Sequence, residues 1–429
     1  MRVLVIGAYG LIGGYVTARL LSDGREVVAA GRDVTAAARR TPKAHWVRAD
    51  LGRLDSDGWA PLLVGVDAVV NCAGALQDSP RDDLSSVHVS GLAHLADACV
   101  AAGVRRFVQI SAAGVEQGEG AFRRTKREGD AALRARDLDW VILRPGLVLA
   151  PAAYGGSGLL RGLAAFPGLI PLSHAAATVQ VVSVEDVAEG VARALAPDGP
   201  RKVCVDLAAP ETTTLAQVLT SLRAWLGLPP ARATPLPSNF ARLTALAADG
   251  LAWLGWRSPM RSTAVAELVA GVKAEAGDGP RLLGFAPRSL DAILAGWPAG
   301  AQERWYGRLY FVKPLALATL AAFWSLSGAI GLARAGTAAR VLTEAGVDGR
   351  LAHGFVLVGG VADLALGLLV CARRTAPWAL KGMVAVTLAY LLGATLWRPD
   401  LWGDPLGPLV KTIPAAVLAL AALAMMDER

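Results

Sequence analysis

The feature that most constrains this chain is a glycine-rich turn directly after its first apolar run. Val3-Leu4-Val5-Ile6 predicts a buried strand, and Gly7, Gly10 and Gly13 follow it with a GxxGxxG spacing. Glycines at this spacing allow a tight turn, a close backbone approach to a pyrophosphate and close packing of the next helix. Amide groups at the start of that helix would hold the phosphates. The first stretch of the chain therefore predicts a dinucleotide site.

Glycines that only turn the chain are the alternative interpretation. The surroundings of the motif argue against it, because an amphipathic helix and then a second strand, Glu26–Ala30, follow at once. Strand and helix patterns go on alternating to about residue 143, which predicts a Rossmann-type α/β fold with a doubly wound parallel sheet. The further predicted strands are Ala44–Ala49, Ala68–Asn71, Phe107–Ser111 and Trp140–Leu143, and the clearest helix is Leu84–Ala102.

Beyond Pro145 the sequence becomes rich in glycine, proline and alanine. Tyr154–Gly158 predicts a flexible loop over a site, and Val181–Val187 predicts a strand leading into a helix. Residues from about Lys202 to Gly300, with a helix at Thr213–Leu226, predict a small lid or substrate domain. We therefore expect a Rossmann domain over residues 1–200, a lid over 201–303 and a further domain over 304–429.

The last domain has the composition of membrane-spanning helices. The chain as a whole is 54% hydrophobic, which is more than a soluble α/β protein needs. Four apolar segments predict an all-α bundle of four transmembrane helices, because each is about 20 residues long. A single such segment would also fit a buried helix of a soluble bundle, whereas four in series do not. The segments are Pro314–Ala333, Leu351–Cys371, Pro377–Trp397 and Leu406–Met426.

The charged residues indicate the compartment and the partners. The net charge is +7, but lysines and arginines are interspersed with acids, so we expect no nucleic-acid partner and favour a lipid bilayer. Cationic residues flanking the spans place the Rossmann domain on the cytoplasmic side of the inner membrane, and four spans return the C-terminus there. The four cysteines have no CxxC or metal-ligand spacing, which predicts a reduced compartment and no metal site.

Five motifs occur in the order and spacing of a known superfamily. They are Gly7-x-x-Gly10-x-x-Gly13, Asn71-Cys72-Ala73-Gly74, Ile110-Ser111-Ala112-Ala113, Thr125-Lys126-Arg127-Glu128-Gly129 and Leu143-Arg144-Pro145-Gly146. With these motifs the first 300 residues resemble the extended and atypical short-chain dehydrogenases/reductases. The most similar branch contains the nucleotide-binding accessory subunit of respiratory complex I and the NmrA-like proteins.

The resemblance implies a nicotinamide cofactor and assigns residues to it. The turn would hold the pyrophosphate, Asp50 and Leu51 would lie at the adenine, and Ala73 and Gly74 would border the nicotinamide side. Ser111 and Lys126 would be both cofactor-binding and catalytic. The implied residues of the turn are Gly7, Tyr9, Gly10, Leu11, Ile12 and Gly13.

Arg32 bears on the choice between the two nicotinamide cofactors. It stands 19 positions after Gly13, where an acid would bind the ribose 2′-hydroxyl of NAD. An arginine suits the 2′-phosphate of NADP, so the sequence favours NADP(H) over NAD(H). The neighbouring Asp33 leaves NAD(H) as the alternative, and a solvated loop charge is the interpretation without a ligand.

Catalysis in this superfamily uses a Tyr-x-x-x-Lys pair with a serine and an asparagine. Lys126 and Ser111 match, but Phe122 occupies the tyrosine position and His88 the usual asparagine position. Phenylalanine cannot donate a proton, so Tyr154, His88 or a water would have to replace it. His88 is either a proton relay or a helix histidine satisfied by a backbone group. Whether the protein is an enzyme stays open at this stage.

The membrane segment resembles the DoxX-like four-helix family. The residues concerned are Gly359–Gly367 in the second span and Lys411-Thr412-Ile413-Pro414 at the fourth. Asp363 should face the bundle interior, because an ionisable group in lipid needs a partner. Lys411 or Lys381 is the candidate partner, and a water or a protonated Asp363 is the alternative. A structural pair and a quinone or proton site are both open interpretations.

Together these features predict a membrane-anchored, NAD(P)H-binding, oxidoreductase-like protein. It would transfer a hydride to a lipophilic substrate or a quinone. The alternative is a non-catalytic NADP(H)-binding protein that senses redox state or supports a membrane complex. The sequence names no substrate and no oligomeric state.

Overall fold

A computed structural model describes residues 1–79, 82–256, 258–275 and 279–426 of the 429-residue chain. The chain forms two compact units. The first comprises Met1–Asp249 and Ser258–Gly307, and the second comprises Gly250–Arg257 and Arg308–Arg429.

The strands of the described residues all lie in the first unit. They are β1 Arg2–Ile6, β2 Glu26–Gly31, β3 His45–Arg48, β4 Ala68–Asn71, β5 Arg106–Ile110, β6 Asp139–Pro145, β7 Leu147–Leu149, β8 Ile170–Leu172, β9 Thr178–Val179, β10 Val181–Ser183, β11 Val203–Leu207, β12 Thr213–Thr214 and β13 Ala233–Pro235.

The helices occupy both units. They are α1 Leu11–Ser22, α2 Thr35–Arg40, α3 Ser56–Trp59, α4 Gly91–Ala101, α5 Ala121–Arg134, α6 Gly155–Ala164, α7 Val184–Ala194, α8 Leu215–Trp225, α9 Ser238–Trp253, α10 Ser262–Ala270, α11 Gly279–Leu283, α12 Leu290–Ala295, α13 Ala301–Leu309, α14 Val312–Ala333, α15 Ala335–Thr343, α16 Gly349–Leu369, α17 Ala376–Trp397 and α18 Thr412–Ala424. A π-helix, Ser86–Ser90, precedes α4, and short 3₁₀ turns lie at Ala60–Leu62 and Pro399–Trp402.

Seven parallel strands form the main sheet, in the order β11-β6-β5-β4-β1-β2-β3. This confirms the predicted doubly wound α/β fold. β1 lies between β2 and β4, so the chain winds outward in one direction through β3 and in the other through β6. Ligands of such sheets bind at the carboxyl ends of the strands where the direction reverses. In this fold the expected ligand position is therefore between the ends of β1 and β4, next to the glycine turn.

Apolar side chains cover the sheet on both faces because parallel strands are buried on both sides. Val3 and Val5 of β1 pack in one core cluster with α1 and α7. Leu4 and Ile6 face the opposite way and pack in a second cluster with α4 and α5. Alternate residues of β1 thus pack against the helices on opposite faces of the sheet, and both faces of this strand are buried.

Two predicted elements of the first unit differ from the structure. Tyr154–Gly158 was expected to be a flexible loop, but α6 begins at Gly155. That prediction is wrong because leucines at 159, 160 and 163 give the following residues a helical apolar face, and Leu160 and Ala164 are buried in the smaller core cluster of this unit. In addition, β11 joins the main sheet although it falls in the range expected for the lid.

Among the described residues of the second unit, three helices are long and apolar enough to cross a membrane: α14, α16 and α17. Close packing of α14 on α16 depends on glycine, because a Cβ at Gly328 would lie 2.5 Å from the carbonyl oxygen of Gly360. The fourth predicted span, Leu406–Met426, is wrong in length. Its helix, α18, has only 13 residues, or about 20 Å, since Asp404, Gly407 and Pro408 form turns before it.

Candidate functional site

The glycine turn brings the ends of β1 and β4 into backbone contact. Gly7 has a φ of +70°, and a Cβ there would lie 2.9 Å from the amide nitrogen of Ala73. A Cβ at Gly13 would overlap the carbonyl oxygen of Gly7. Both positions thus exclude any side chain, and α1 can begin directly against the end of β1.

The N-terminus of α1 faces this turn without a side-chain cap. Gly10 is the N-cap residue in an extended conformation, and as a glycine it offers no side chain to cap the first turn of the helix. The amide groups of Leu11, Ile12 and Gly13 are therefore available to an anion, as helix N-termini are in dinucleotide sites. This cradle of backbone amides and missing Cβ atoms fits a pyrophosphate.

The end of β2 lies beside the same turn. The ring of Tyr9 packs on Gly31, where a Cβ would overlap it. Arg32 is half-buried and forms an ion pair with Asp82, with 2.5 Å between Nη1 and Oδ1. After β3, Asp50 accepts a hydrogen bond from the amide of Gly52 at 3.3 Å. Asp50 also pairs with Arg53, and Leu51 is buried beneath it.

The segment after β4 reaches Lys126. Asn71 turns this segment by accepting a hydrogen bond from the amide of Ala73 at 3.0 Å, and it donates to Gln109 at 2.9 Å. A Cβ at Gly74 would lie 3.2 Å from Nζ of Lys126. The structure therefore brings Ala73 and Gly74 to the lysine that the resemblance places at the nicotinamide side.

Lys126 is almost entirely buried and donates a hydrogen bond to the carbonyl of Ile110 at 3.1 Å. Burial lowers the pKa of its ammonium group, while Asp130 and Cys72 act in the opposite direction. An ammonium with a lowered pKa gives up a proton more readily than an exposed lysine does. An ammonium group of lowered pKa thus lies beside Gly74.

His88 has a partner on each ring nitrogen. Nε2 accepts from the amide of Ala75 at 3.1 Å, so Nδ1 carries the proton and donates to Oγ1 of Thr125 at 2.9 Å. Burial and the charge of Lys126 lower the pKa of His88 to about 2. The structure thus favours a histidine that a backbone group satisfies over a proton relay.

The π-helix, which carries His88, packs closely against α5 because α5 has a glycine, Gly129, at the contact. A Cβ at Gly129 would overlap the carbonyl oxygen of His88. Phe122, at the expected tyrosine position, contacts the His88 ring edge to face with 5.8 Å between centroids. Tyr154 is the residue before α6. A histidine ring and a phenyl ring therefore stand where the superfamily has its asparagine and its tyrosine.

Ser111 belongs to a polar cluster, which we call the Asp130 cluster: the buried residues Ser111, Asp130 and Arg144 and the exposed Glu116. The hydroxyl of Ser111 donates to Oδ2 of Asp130 at 2.8 Å, and Nη2 of Arg144 lies 3.2 Å from the same oxygen. Arg144 also pairs with Glu116 at 2.6 Å. Burial raises the pKa of Asp130, and Ser111, Arg144 and Lys126 oppose this. The cluster fixes the serine hydroxyl beside the lysine.

Sequence reasoning missed Asp130 and gave Arg144 no role. Two signals were available, because Asp130 follows Lys126 by four residues in α5 and Arg144 stands in the Leu143-Arg144-Pro145 motif at the end of β6. Residues four apart share one face of a helix. An acid on the buried face with Lys126 would have predicted a cationic partner.

The membrane unit has its own polar site, formed by three helices. Asp363 of α16 accepts a hydrogen bond from the hydroxyl of Tyr390 in α17 at 2.8 Å and from that of Ser327 in α14 at 3.1 Å. The carboxyl group is buried, as predicted. Its predicted lysine partner is wrong, because Lys381 lies over the Trp378 ring and Lys411 only precedes α18. The hydroxyl groups of Tyr390 and Ser327 take the place of the predicted lysine.

Replacing Asp363 should disturb the packing of these three helices. Asp363→Leu leaves the hydroxyl groups of Tyr390 and Ser327 without their acceptor, and interhelical hydrogen bonds in membranes contribute about 0.6–1.7 kcal/mol each. We expect a lower melting temperature in detergent. Asp363→Asn keeps an acceptor oxygen and should melt close to the unmodified protein. Equal melting of the leucine and asparagine variants would contradict a structural role for the hydrogen bonds.

Two family models match the chain. Residues 7–198 match a family described as NAD(P)H-binding. Residues 321–420 match the DoxX-like family. The first match contains the glycine turn, Lys126 and the Asp130 cluster, and the second contains Asp363.

Curated relatives of the first unit include reductases. The chain is 30% identical over 190 residues to a ceramide reductase of Caulobacter vibrioides, covering 43% of this chain and 58% of that protein. It is 31% identical over 265 residues to 3-diazoavenalumate denitrifying reductase of Streptomyces, covering 55% and 84%. It is 26% identical over 224 residues to the 40 kDa subunit of NADH-ubiquinone oxidoreductase of Neurospora crassa, covering 50% and 57%. The chain thus spans little more than half of the first and the last of these proteins.

A solved structure shows the same fold. The NADPH-dependent quinone oxidoreductase of Escherichia coli, in complex with NADPH, superposes with a TM-score of 0.53 at 20% identity, over 69% of this chain and 99% of that one. These similarities confirm the predicted resemblance, and the complex I subunit is among the relatives. The chain belongs to the NAD(P)H-binding, short-chain-dehydrogenase-like family that includes the Streptomyces protein, and it carries a DoxX-like membrane domain.

Proposed function

We propose that this protein is a membrane-anchored reductase that uses NADP(H) and transfers a hydride to a lipophilic carbonyl compound or quinone. The observation that carries the proposal is the position of Lys126, a buried ammonium group beside Gly74 at the switch point of the sheet. The apolar helices α14, α16 and α17 would keep the protein in the bilayer, where such a substrate dissolves.

The cradle residues would bind the cofactor, whose nicotinamide supplies the hydride when bound. Gly7, Gly10 and Gly13 leave room for the pyrophosphate at the α1 amides. Asp50 and Leu51 would border the adenine, and Ala73, Gly74 and Lys126 would order the nicotinamide ribose. Arg32 would face the 2′-phosphate, which is the reason for preferring NADP(H) to NAD(H).

Lys126 would supply the proton that accompanies the hydride. A carbonyl group needs one hydride on carbon and one proton on oxygen, and a quinone likewise takes one hydride equivalent and one proton. Phe122 has no proton to give, and both nitrogens of His88 are occupied. Ser111 would donate a hydrogen bond to the substrate oxygen by turning its hydroxyl proton away from Asp130, its acceptor in this structure.

The decisive experiment uses the full-length protein in lipid nanodiscs. Oxidation of NADPH and NADH is followed over a panel of quinones and long-chain aldehydes. Lys126→Met should abolish turnover, whereas Lys43→Met, which removes an exposed lysine, should leave it unchanged. Turnover that survives Lys126→Met would place the proton donor elsewhere.

A specific observation favours the alternative, a non-catalytic NADP(H)-binding protein that senses redox state or supports a membrane complex. Phe122 packs on His88 where the superfamily has its proton donor, and cofactor binding does not require a tyrosine there. Tight NADPH binding with no oxidation of the nucleotide over the whole panel would favour this function over the reductase.

Phe122→Tyr should raise any reductase rate about tenfold or more, since general acid catalysis contributes roughly 10²–10⁴-fold. The new hydroxyl would stand one helical turn from Lys126, whose charge would lower the pKa of the phenol. Single-turnover NADPH oxidation measures this, with Phe122→Leu as the control that adds no proton donor. A tyrosine variant slower than the unmodified protein would show that this helix position is not beside the substrate.

The reductase rate should depend on pH through Lys126. Because burial lowers the pKa of its ammonium group, the acid form is lost at a lower pH than for a free lysine. The rate should therefore be highest at low pH and fall as the pH rises through this lowered value. A rate profile of kcat against pH measures the effect, and a rate that rises with pH would exclude Lys126 as the acid.

For the membrane we propose the cytoplasmic membrane, with the first unit on its cytoplasmic side. Arg304 and Arg308 precede α14, Lys313 lies in its first turn, and Arg373 and Arg374 lie between α16 and α17, which is the bias expected of cytoplasmic loops. The predicted cytoplasmic C-terminus depended on a full fourth span. Reporter fusions after Arg350, Arg374 and Arg398 test the orientation, and an external signal at Arg374 would reverse it.

A further inference from the structure

Arg32, the residue that should recognise a 2′-phosphate, already holds an anion from its own chain. Its Nη1 lies 2.5 Å from Oδ1 of Asp82, a residue between β4 and the π-helix. Asp82 is the more buried partner, with 21% of its side chain exposed against 36% for Arg32. From this geometry we propose that Asp82 is a specificity-determining residue that competes with the 2′-phosphate of NADP(H) for Arg32. The inference rests on the proposed use of a nicotinamide cofactor.

Asp82 is held in place from its own side. The amide of Asp82 donates to the hydroxyl of Ser79 at 3.0 Å, and that hydroxyl donates to Oδ2 at 3.2 Å. The amide of Ser79 donates to the carbonyl of Asp82 at 2.8 Å. The carboxylate is thus fixed with one oxygen on Ser79 and the other on Arg32.

The preceding residues are joined to the rest of the first unit. Gln77 donates to Asp249 at 2.8 Å, and Arg261 donates to the carbonyl of Asp78 at 2.9 Å. Asp78 in turn accepts from the amide of Leu84 at 2.8 Å. Hydrogen bonds thus hold residues on both sides of Asp82: Gln77 and Asp78 before it and Leu84 after it.

The consequence differs between the two cofactors. A 2′-phosphate carries the same sign of charge as Asp82 and needs the same guanidinium group, so binding must either break the Arg32–Asp82 pair or bring two anions together. A 2′-hydroxyl is neutral and makes neither demand. Asp82 therefore lowers the affinity for NADP(H) and leaves the affinity for NAD(H) nearly unchanged. It thus determines how strongly Arg32 can favour NADP(H) over NAD(H).

The test measures dissociation constants of NADPH and NADH by calorimetry with the full-length protein in detergent. We expect Asp82→Asn to tighten NADPH binding about fivefold, as for a partly exposed ion pair, and to change NADH binding less than twofold. Asparagine keeps the shape and can still accept from Ser79. Asp198→Asn removes an equal charge from an exposed loop and should change neither constant.

A second background separates competition for Arg32 from a general effect. In Arg32→Gln the guanidinium group is gone, so adding Asp82→Asn should tighten NADPH binding less than it does beside the natural arginine. An unchanged NADPH to NADH ratio in Asp82→Asn would overturn the inference while leaving the cofactor proposal intact. Failure of the unmodified protein to bind either nucleotide would overturn both.

Discussion

Asp130→Ala is expected to destabilise the first unit by about 3–5 kcal/mol, the range for removing one partner of a buried ion pair. The carboxylate is fully buried and accepts from Ser111 and Arg144. Without it Arg144 keeps only Glu116, and Lys126 loses its buried counter-charge. Thermal denaturation of the full-length protein in detergent measures the effect, which should lower the melting temperature on the order of 10 °C.

Two variants make this prediction specific. Asp130→Asn keeps the shape and an acceptor for Ser111 but loses the charge, so it should fall between the alanine variant and the unmodified protein. Asp137→Ala removes an acid that pairs with Arg105 on the surface, and exposed pairs contribute only about 0.2–1 kcal/mol. If Asp130→Ala melts like Asp137→Ala, the Asp130 cluster does not stabilise the fold.

Gly13→Val should abolish nucleotide binding and lower stability by at least about 1–3 kcal/mol, the usual cost of overpacking. A Cβ at Gly13 would overlap the carbonyl oxygen of Gly7, which is backbone and cannot rotate away. The end of β1 and the start of α1 would have to separate. Because the α1 amides and the Gly7 turn form one cradle, the pyrophosphate site would be lost with them.

The adjacent glycine provides the matched control. A Cβ at Gly14 would meet nothing closer than the carbonyl oxygen of Ala8 at 3.8 Å, an ordinary contact. Gly14→Ala should therefore keep NADPH binding and gain roughly 0.5–1 kcal/mol, since alanine is the better helix former. Calorimetric titration with NADPH and thermal denaturation measure both. Nucleotide binding by Gly13→Val at unchanged affinity would contradict the assignment of the cradle.

Local sequence patterns determined the strands, the long apolar helices and the glycine turn of this protein. Residues 3–6 and 68–70 form buried strands because they are apolar without a break, and the three long helices follow from segments of about 20 apolar residues. Glycine spacing also indicated the cradle, because a missing side chain is a property of the residue itself. These features depend on neighbours within a few positions.

Only the tertiary structure decided which polar groups meet. Arg32 and Asp82 are 50 residues apart, and Ser327, Asp363 and Tyr390 come from three helices. The predicted lysine partner of Asp363 failed for this reason, since sequence offset gives the depth along a helix but not which face of it a neighbouring helix covers. Strand order and helix packing bring such residues together, and both are set by contacts across the whole chain. The sequence by itself therefore determined the elements and the cradle, whereas tertiary packing determined the polar partners of Arg32, Ser111 and Asp363, because pairing over long sequence separations depends on topology.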